Sequence, residues 1–320
     1  MTGPRFDCFC AGIVVADHVC SPVAHLPAAG ELVETNKLEL TIGGCASNCA
    51  VDMAILGLKT AVAGTVGRDV FGQFVRDTLE TAGVDCHCLQ TRDDVDTSGT
   101  LVINVAGEDR RFIHATAANA HFTTETLSDE LLDTTRVLYL GGYCLADEPT
   151  ASHVASLFRR ARQRGVITIL DVVTPGPGDY WPRLVDVLPE TDLFFPNDDE
   201  ARLICGLTDA LEQAEYFQDA GARTSVITCG DQGAVLVGPE GRWRSGVHSV
   251  PFVDGTGSGD AFVSGYVLAL LQGGDPVTCL QHGTALGAGC VQATGATTGI
   301  SDAPALSRFV ADHPLAIEPL

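Results

Sequence analysis

The sequence predicts an α/β protein: a mainly parallel wound sheet with helices on both faces, plus a small β-sheet that serves as a lid. Two observations predict it. Short apolar or β-branched runs alternate with amphipathic helical patterns along most of the chain. Two segments break this alternation with strand-like repeats that have no helix between them. The length of 320 residues and the 45% hydrophobic content add a third, since such a chain buries a substantial core as one unit spanning 1–320.

Taken in order, strands are expected over Asp7 to Val15, Thr60 to Val66, Val137 to Leu140, Val166 to Val172, Asp192 to Phe195, Thr224 to Thr228 and Gly233 to Val237. Helices are expected over Ser47 to Leu56, Phe71 to Ala82, Ala151 to Arg164, Asp198 to Cys205, Asp260 to Leu271 and Pro276 to Ala293, where apolar residues recur at i, i+3 and i+4. The two exceptional segments, about 14–43 and 97–118, contain Leu38-Glu39-Leu40-Thr41-Ile42 and Leu101-Val102-Ile103-Asn104-Val105. They suit a small antiparallel sheet closing over a crevice; edge hairpins of the main sheet are the alternative.

Charge and cysteine usage narrow the function. A net charge of −22 repels nucleic-acid backbones and anionic lipid surfaces, so neither is expected as a partner. Lys37 and Lys59 are the only lysines, so a bound phosphate has to depend on backbone amides and a divalent metal. The 12 cysteines are scattered through apolar segments such as Cys8-Phe9-Cys10 and read as small buried hydrophobes. Cys86-His87-Cys88 with Cys45 and Cys49 lacks the CxxC spacing of a zinc site. No basic leader or membrane-length apolar run is evident, and a cytoplasmic setting is expected.

The most informative stretch is Asp254-Gly255-Thr256-Gly257-Ser258-Gly259-Asp260, followed by Ala261-Phe262-Val263. Its glycines permit a turn with converging N–H groups, and the helix beginning near Gly257 adds a positive dipole end. Asp260, in the first helical turn, then lies beside a held phosphoryl group and can accept a proton from an attacking hydroxyl. Taken alone, such a stretch is more often mere turn chemistry.

A second element is Gly43-Gly44-Cys45-Ala46-Ser47-Asn48 at a helix start. Together, in this order, the two resemble the signatures of the PfkB, or ribokinase-like, carbohydrate kinases over nearly the whole chain. Asn197-Asp198-Asp199-Glu200 resembles that family's NxxE element, and Thr228-Cys229-Gly230 with Gly233 resembles its nucleotide-side TxGxxG. The resemblance implies the three-layer ribokinase-like fold. It implies an ATP-dependent phosphotransferase acting on the hydroxymethyl group of a ribose-, fructose- or keto-sugar-type substrate. Asp260 is then the base, aided by Gly257, Ser258 and Gly259, and Asp17, Gly43, Gly44 and Asn48 hold the sugar.

On the nucleotide side it implies Asn197, Thr228, Gly230, Gly233, Gly257, Gly259, Ala293 and Gly295, with ATP and Mg²⁺ as cofactors. Asn197 and Glu200 hold the Mg²⁺ through water; as residues alone they equally form a helix cap. A K⁺ site is implied at Asp254, Thr256, Cys290, Ala293, Gly295 and Gly299. The partner is a small sugar or nucleoside, with a homodimer formed through the lid sheet.

Departures bear on the substrate. Gly255 replaces a commoner Thr, Val173 and Pro175 stand where sugar-acid and fructose kinases carry Asn and Arg, and Gly141-Gly142-Tyr143 follows a strand where ribokinases place Glu. A small, less charged pocket floor with room for a bulkier or less polar substrate is therefore expected, which keeps a nucleoside kinase in play. Arg111, His114 and Asn119 stand at the expected lid edge, within reach of a substrate. A non-catalytic sugar- or nucleotide-binding regulator is the third class, and the intact Asp260 argues against it.

Overall fold

A ten-stranded sheet forms the centre of the molecule in the computed structural model, which describes residues 5–108 and 111–320. The chain begins with β1 (Phe6–Gly12), β2 (Val15–Val23), β3 (Leu38–Gly43), α1 (Cys45–Ile55), β4 (Thr60–Gly67), α2 (Val70–Thr81), β5 (Asp85–Arg92), β6 (Gly99–Val105), β7 (Arg111–Ala115), α3 (Asp129–Leu132), β8 (Thr135–Tyr143) and α4 (Ala151–Gln163). It continues with β9 (Ile167–Val172), α5 (Trp181–Leu184), β10 (Leu193–Phe194), α6 (Asp198–Cys205), α7 (Ala210–Asp219), β11 (Thr224–Thr228), β12 (Ala234–Gly238), β13 (Gly241–Ser245), α8 (Ser258–Leu271), α9 (Pro276–Cys290), α10 (Ala303–Asp312) and β14 (Ile317–Pro319). The main sheet is ordered β14-β13-β12-β11-β10-β9-β8-β1-β4-β5. Strands β5 to β11 in that order run parallel, and β12, β13 and β14 add antiparallel.

Period-two alternation sends side chains to two cores. Phe9, Leu138 and Leu140 join Phe158 and Phe217 on one face, while Cys10, Val137 and Tyr139 join Met53, Leu79 and Val267 on the other. Helices α8 and α9 approach closely because their contact residues are glycines. A Cβ at Gly265 would lie 2.4 Å from the His282 carbonyl oxygen, and one at Gly283 would lie 2.9 Å from that of Phe262. No helix among the described residues is long and apolar enough to cross a membrane.

A separate four-stranded sheet, β3-β2-β6-β7, is built from the two exceptional segments; residues 109 and 110 of the second lie outside the described residues. It is mixed rather than antiparallel: β2 pairs with β3 and β6 with β7 antiparallel, but β2 and β6 run parallel. Both β2 and β6 follow the carboxyl ends of strands that run parallel in the main sheet, β1 and β5, and so travel in one direction.

The expected strand Asp7 to Val15 is two strands. Gly12 has φ +124°, and a Cβ there would meet the Gly141 carbonyl oxygen at 2.0 Å. The chain bends at this point into the small sheet. Helix α9 stops at Cys290 rather than Ala293. β5, β13, β14, α7 and α10 went unanticipated. In β5, at an edge of the main sheet, Cys86 and Cys88 are buried while His87 between them is exposed, which explains that spacing without a metal.

Asp52, on α1, is wholly buried, and neither carboxylate oxygen has a hydrogen-bond partner. Burial, then the charge of Asp260, pushes its carboxyl well above the usual range. The folded state therefore keeps a proton that the unfolded chain releases above about pH 4, so stability falls as pH rises through that window, by about 1.4 kcal/mol per pH unit. Asp52→Asn removes this dependence. The stability difference between the variant and the wild type should shift in the variant's favour between pH 4.5 and pH 8 in urea unfolding; a constant difference would contradict a neutral buried Asp52.

Candidate active site

The carboxyl ends of β9, β10 and β11 open into a cleft of about 1170 Å³, the usual location of a ligand in an open parallel sheet. Gly257, Ser258, Gly259 and Asp260 line it from the start of α8. Gly257 caps that helix with φ 78°, and a Cβ there would lie 2.6 Å from Ala296, so only glycine fits the turn. A Cβ at Gly259 would meet nothing within 4 Å, which leaves this amide edge open to a ligand. The Ser258 amide donates to the Gly255 carbonyl at 3.3 Å, and the remaining first-turn N–H groups with the helix dipole favour an anion here.

Asp260 is buried and joined to the other sequence element. The Asn48 Nδ2 donates to Asp260 Oδ2 at 2.8 Å, while Asn48 Oδ1 is buried without a partner. Burial raises the Asp260 carboxyl to about 6, opposed by hydrogen bonds from Asn48 and from the Cys45 thiol. Cys45 Sγ and the carboxylate oxygens of Asp171 and Asp260 lie within 4.8 Å of one another. The Tyr139 hydroxyl donates to Asp171 Oδ2 at 2.6 Å, and burial with the charges of Asp260 and Glu200 holds the Asp171 carboxyl well above the usual range.

Asn197 and Glu200 form a capping box: Asn197 Oδ1 accepts from the Glu200 amide at 2.8 Å, and Glu200 Oε2 accepts from the Asn197 amide at 2.9 Å. Both residues still line the cleft. Glu200 is pushed up to about 8 by burial and by Asp260, Asp199 and Asp198, overcoming the Asn197 amide bond that lowers it. Three desolvated carboxylates facing one space, Asp171, Glu200 and Asp260, form a hard oxygen set suited to a divalent cation. Thr228, Gly230 and Gly233 line the same cleft from the end of β11.

The small sheet presents Asp17 toward the same region. A Cβ at Gly43 would fall 2.0 Å from Asp17 Oδ2, and one at Gly44, with φ 90°, would fall 2.6 Å from the Ile13 carbonyl oxygen. The Asp17 carboxyl is raised to about 6 by burial, with the charges of Asp260 and Asp254 adding to it and the Thr100 hydrogen bond opposing it. His114 stands one strand over, with Nδ1 at 3.0 Å from the Thr100 hydroxyl and a buried Nε2 without a partner. Arg111 pairs instead with Glu108 at the exposed edge.

Two expectations are corrected. Asn119 does not face a substrate: its Oδ1 accepts from the Val14 amide and its Nδ2 donates to the Val14 carbonyl, both at 3.1 Å, which clamps the chain between β1 and β2. Nor do Gly141 and Gly142 open extra room. A Cβ at Gly141 would strike the Tyr139 ring at 2.5 Å, and one at Gly142 would strike Ile13 at 2.4 Å.

Asp254 closes a loop beside the cradle: Oδ1 accepts from the Thr256 amide at 2.9 Å and its hydroxyl at 2.7 Å, and Oδ2 accepts from the Gly295 amide at 3.0 Å. The Cys290 thiol donates to the Thr256 carbonyl at 3.4 Å, and a Cβ at Gly299 would lie 2.8 Å from the Cys290 carbonyl oxygen. Asp254, Thr256, Cys290, Gly295 and Gly299 thus come together, while Ala293 follows in the turn after α9, its amide donating to the Cys290 carbonyl. Neither Ala293 nor Gly295 lines the cleft; Thr284, Ala288 and Val291 of that segment do, with Phe252 opposite. Cys45 and Asp171 also line the cleft, with no role assigned to them from the sequence because a single thiol and a strand-end Asp carry no local signal.

The chain matches the pfkB family of carbohydrate kinases over residues 5–303. It is 28% identical over 291 residues to the aminoimidazole riboside kinase of Salmonella typhimurium, covering 86% of this chain and 89% of that one. It is 29% identical over 299 residues to the ribokinase of Haemophilus influenzae, covering 90% and 93%. The structure of Arabidopsis thaliana ribokinase complexed with ribose and ATP superposes with a TM-score of 0.83 at 21% identity, covering 97% of this chain and 99% of that one. The fold is therefore ribokinase-like.

The Asp260 carboxyl, raised to about 6, is ionised above that pH and protonated below it. Removing the Asn48 hydrogen bond, which favours the ionised form, should move the midpoint upward. A ¹³C-detected titration of aspartate carboxyls, comparing wild type with Asn48→Ala, checks this; a midpoint that stays or drops would count against the geometry.

Proposed function

This chain belongs to the pfkB family of carbohydrate kinases, and from that premise we propose that it transfers the γ-phosphoryl group of ATP to the hydroxymethyl group of a ribose-, fructose- or keto-sugar-type substrate. One observation carries the reading: Asp260 ends the open amide edge at the start of α8 and is gripped by Asn48, whose remaining oxygen is buried and lacks a donor. A sugar hydroxyl supplies that donor. Asp17, also buried, accepts from further hydroxyls, and Gly43 and Gly44 let the backbone lie close to the ring.

In the transfer, an Asp260 carboxylate oxygen takes the proton of the hydroxymethyl group as its oxygen bonds to the γ-phosphorus. The bond from that phosphorus to the β–γ bridging oxygen breaks, and ADP leaves. The amides of Gly257, Ser258 and Gly259 stabilise the charge that builds on the moving group. Thr228, Gly230 and Gly233 border the nucleotide, with Thr284, Ala288 and Val291 as the apolar wall and Ala293 and Gly295 just beyond it. Asn197 and Glu200, through water, are the residues that would hold Mg²⁺, with Asp171 beside them; when bound, that ion neutralises phosphate charge. The loop of Asp254, Thr256, Cys290, Ala293, Gly295 and Gly299 is the place for K⁺ on the same reading.

A nucleoside acceptor is the second reading. It is supported by the similarity to a riboside kinase and by Phe112 of β7, an aromatic ring reaching the cleft where a base would stack. The 12 free cysteines support a reducing, cytoplasmic setting.

The reading also includes a homodimer through the small sheet. Register places Leu40, His18, Leu101 and Ile113 in one row across its strands, and Leu40, Leu101 and Ile113 are exposed. Ile113→Glu should convert a dimer into a monomer in sedimentation equilibrium, and a monomeric wild type would remove this part of the reading.

The central test follows ADP release from Mg-ATP with a panel of sugars and nucleosides. At least one sugar should stimulate release, and Asp260→Asn should lower turnover by about 10²–10⁴-fold while nucleotide affinity stays nearly unchanged. Stimulation by nucleosides alone would select the second reading. Tight ATP binding with no release for any acceptor would leave a non-catalytic regulator.

A further inference from the structure

We infer that the protein carries a second small-molecule site, at the end of the main sheet opposite the cleft, that takes an apolar α-amino acid. A cavity of about 490 Å³ lies there, bounded by the first residues of β9, β10 and β11 and by α8 and α9. Its size is in the range of small-molecule pockets. None of its lining residues belongs to the catalytic machinery described above.

Tyr266 marks it as a built site. The side chain lines the cavity and is only 3% exposed. Its ring packs against Phe195 at 5.2 Å and Phe262 at 6.5 Å on the inner side. Cys279 and Glu240, the titratable neighbours of its hydroxyl, line the cavity with it. Yet no hydrogen bond to that hydroxyl exists among the described residues. A buried tyrosine hydroxyl ordinarily has a partner, and here the cavity is where the partner must come from.

The charges at the mouth define the ligand. Of the four charged lining side chains, Arg162 and Asp192 satisfy one another at 3.4 Å. Arg223 and Glu240 are exposed and make no ion pair among the described residues, with each other or with anything else. The apolar part of the wall includes Leu236, Leu270 and the Trp243 ring. One unpaired cation and one unpaired anion at the mouth of an apolar cavity match a molecule with both charges and an apolar body. Its carboxylate pairs with Arg223, its ammonium pairs with Glu240 and donates to the nearby Tyr266 hydroxyl oxygen, and its side chain lies on Trp243 and Leu270. A purely anionic ligand would leave Glu240 as a repulsive neighbour on a chain of net charge −22, and a purely cationic one would face Arg223.

Isothermal titration of the full chain with L-phenylalanine and L-leucine, beside phenylacetate and phenethylamine as single-charge controls, tests the assignment. The amino acids should bind saturably at one site, with saturating Mg-ATP present. Arg223→Ala and Glu240→Ala, both at exposed positions, should each weaken binding about tenfold or more, and Tyr266→Phe should weaken it as well. Each single-charge control should bind about tenfold more weakly than L-phenylalanine. Absence of binding by both amino acids up to about 10 mM would overturn the assignment. So would affinity indifferent to Arg223→Ala and Glu240→Ala, phenylacetate binding as tightly as L-phenylalanine, or displacement by Mg-ATP.

Discussion

The hydrogen bond from Asn48 to Asp260 is the contact on which the site depends, because it joins the start of α1 to the start of α8 across most of the chain. Each helix start alone is ordinary. Joined, they place a carboxylate at the edge of an amide cradle and a polar side chain against it. The bond also sets the chemistry of the carboxylate. Burial raises the Asp260 carboxyl, and donation from Asn48 and Cys45 opposes that rise, leaving it at about 6. A carboxylate at that value is mostly ionised near neutral pH and more basic than one in water, which suits a general base.

Topology explains why these elements meet. β1 and β8 are neighbours in the centre of the main sheet, and Gly12 and Gly141 allow their ends to touch where the chain leaves for the small sheet. From there β2 and β3 carry Asp17 and the Gly43-Gly44 pair back over the carboxyl ends of the strands. Asn119 fixes the departure point by holding both backbone groups of Val14. A residue that looks like a substrate contact in the sequence thus acts as a hinge pin, because the exposed backbone of a strand-to-strand crossing needs a partner as much as a ligand does.

What was legible in the sequence was local. The glycines around Gly257, the cap formed by Asn197 and Glu200, and the amphipathic patterns of α2 and α4 all follow from short-range chemistry. The wound sheet followed from their alternation. What was not legible depends on distant partners. Tyr139 reads as a core strand residue until Asp171 is placed beside its hydroxyl, and Cys45 reads as one apolar cysteine among many until it meets Asp260. β13 and β14 are short, partly exposed strands at one end of the main sheet that pair from segments far apart in the chain, so their periodicity is weak. The parallel pairing of β2 with β6 is likewise a property of where each strand departs and leaves no trace in its residues.

The charge distribution of the cleft ties the substrate problem to the metal problem. Among the described residues, no lysine or arginine lines it, and Asp171, Glu200 and Asp260 converge there. A triphosphate entering such a space adds like charge to a protein already at −22. The amides of the α8 turn offset part of this, but each supplies only a fraction of a unit charge. The remainder has to arrive with the nucleotide as a divalent cation, and the same carboxylates that would receive it are the ones burial holds partly protonated. Under the proposed function, cation and proton would compete for Glu200, raised to about 8, and uptake of the ion near neutral pH would release protons. On the proposed function, the repulsion that would exclude free ATP from this cleft would favour the metal-bound form.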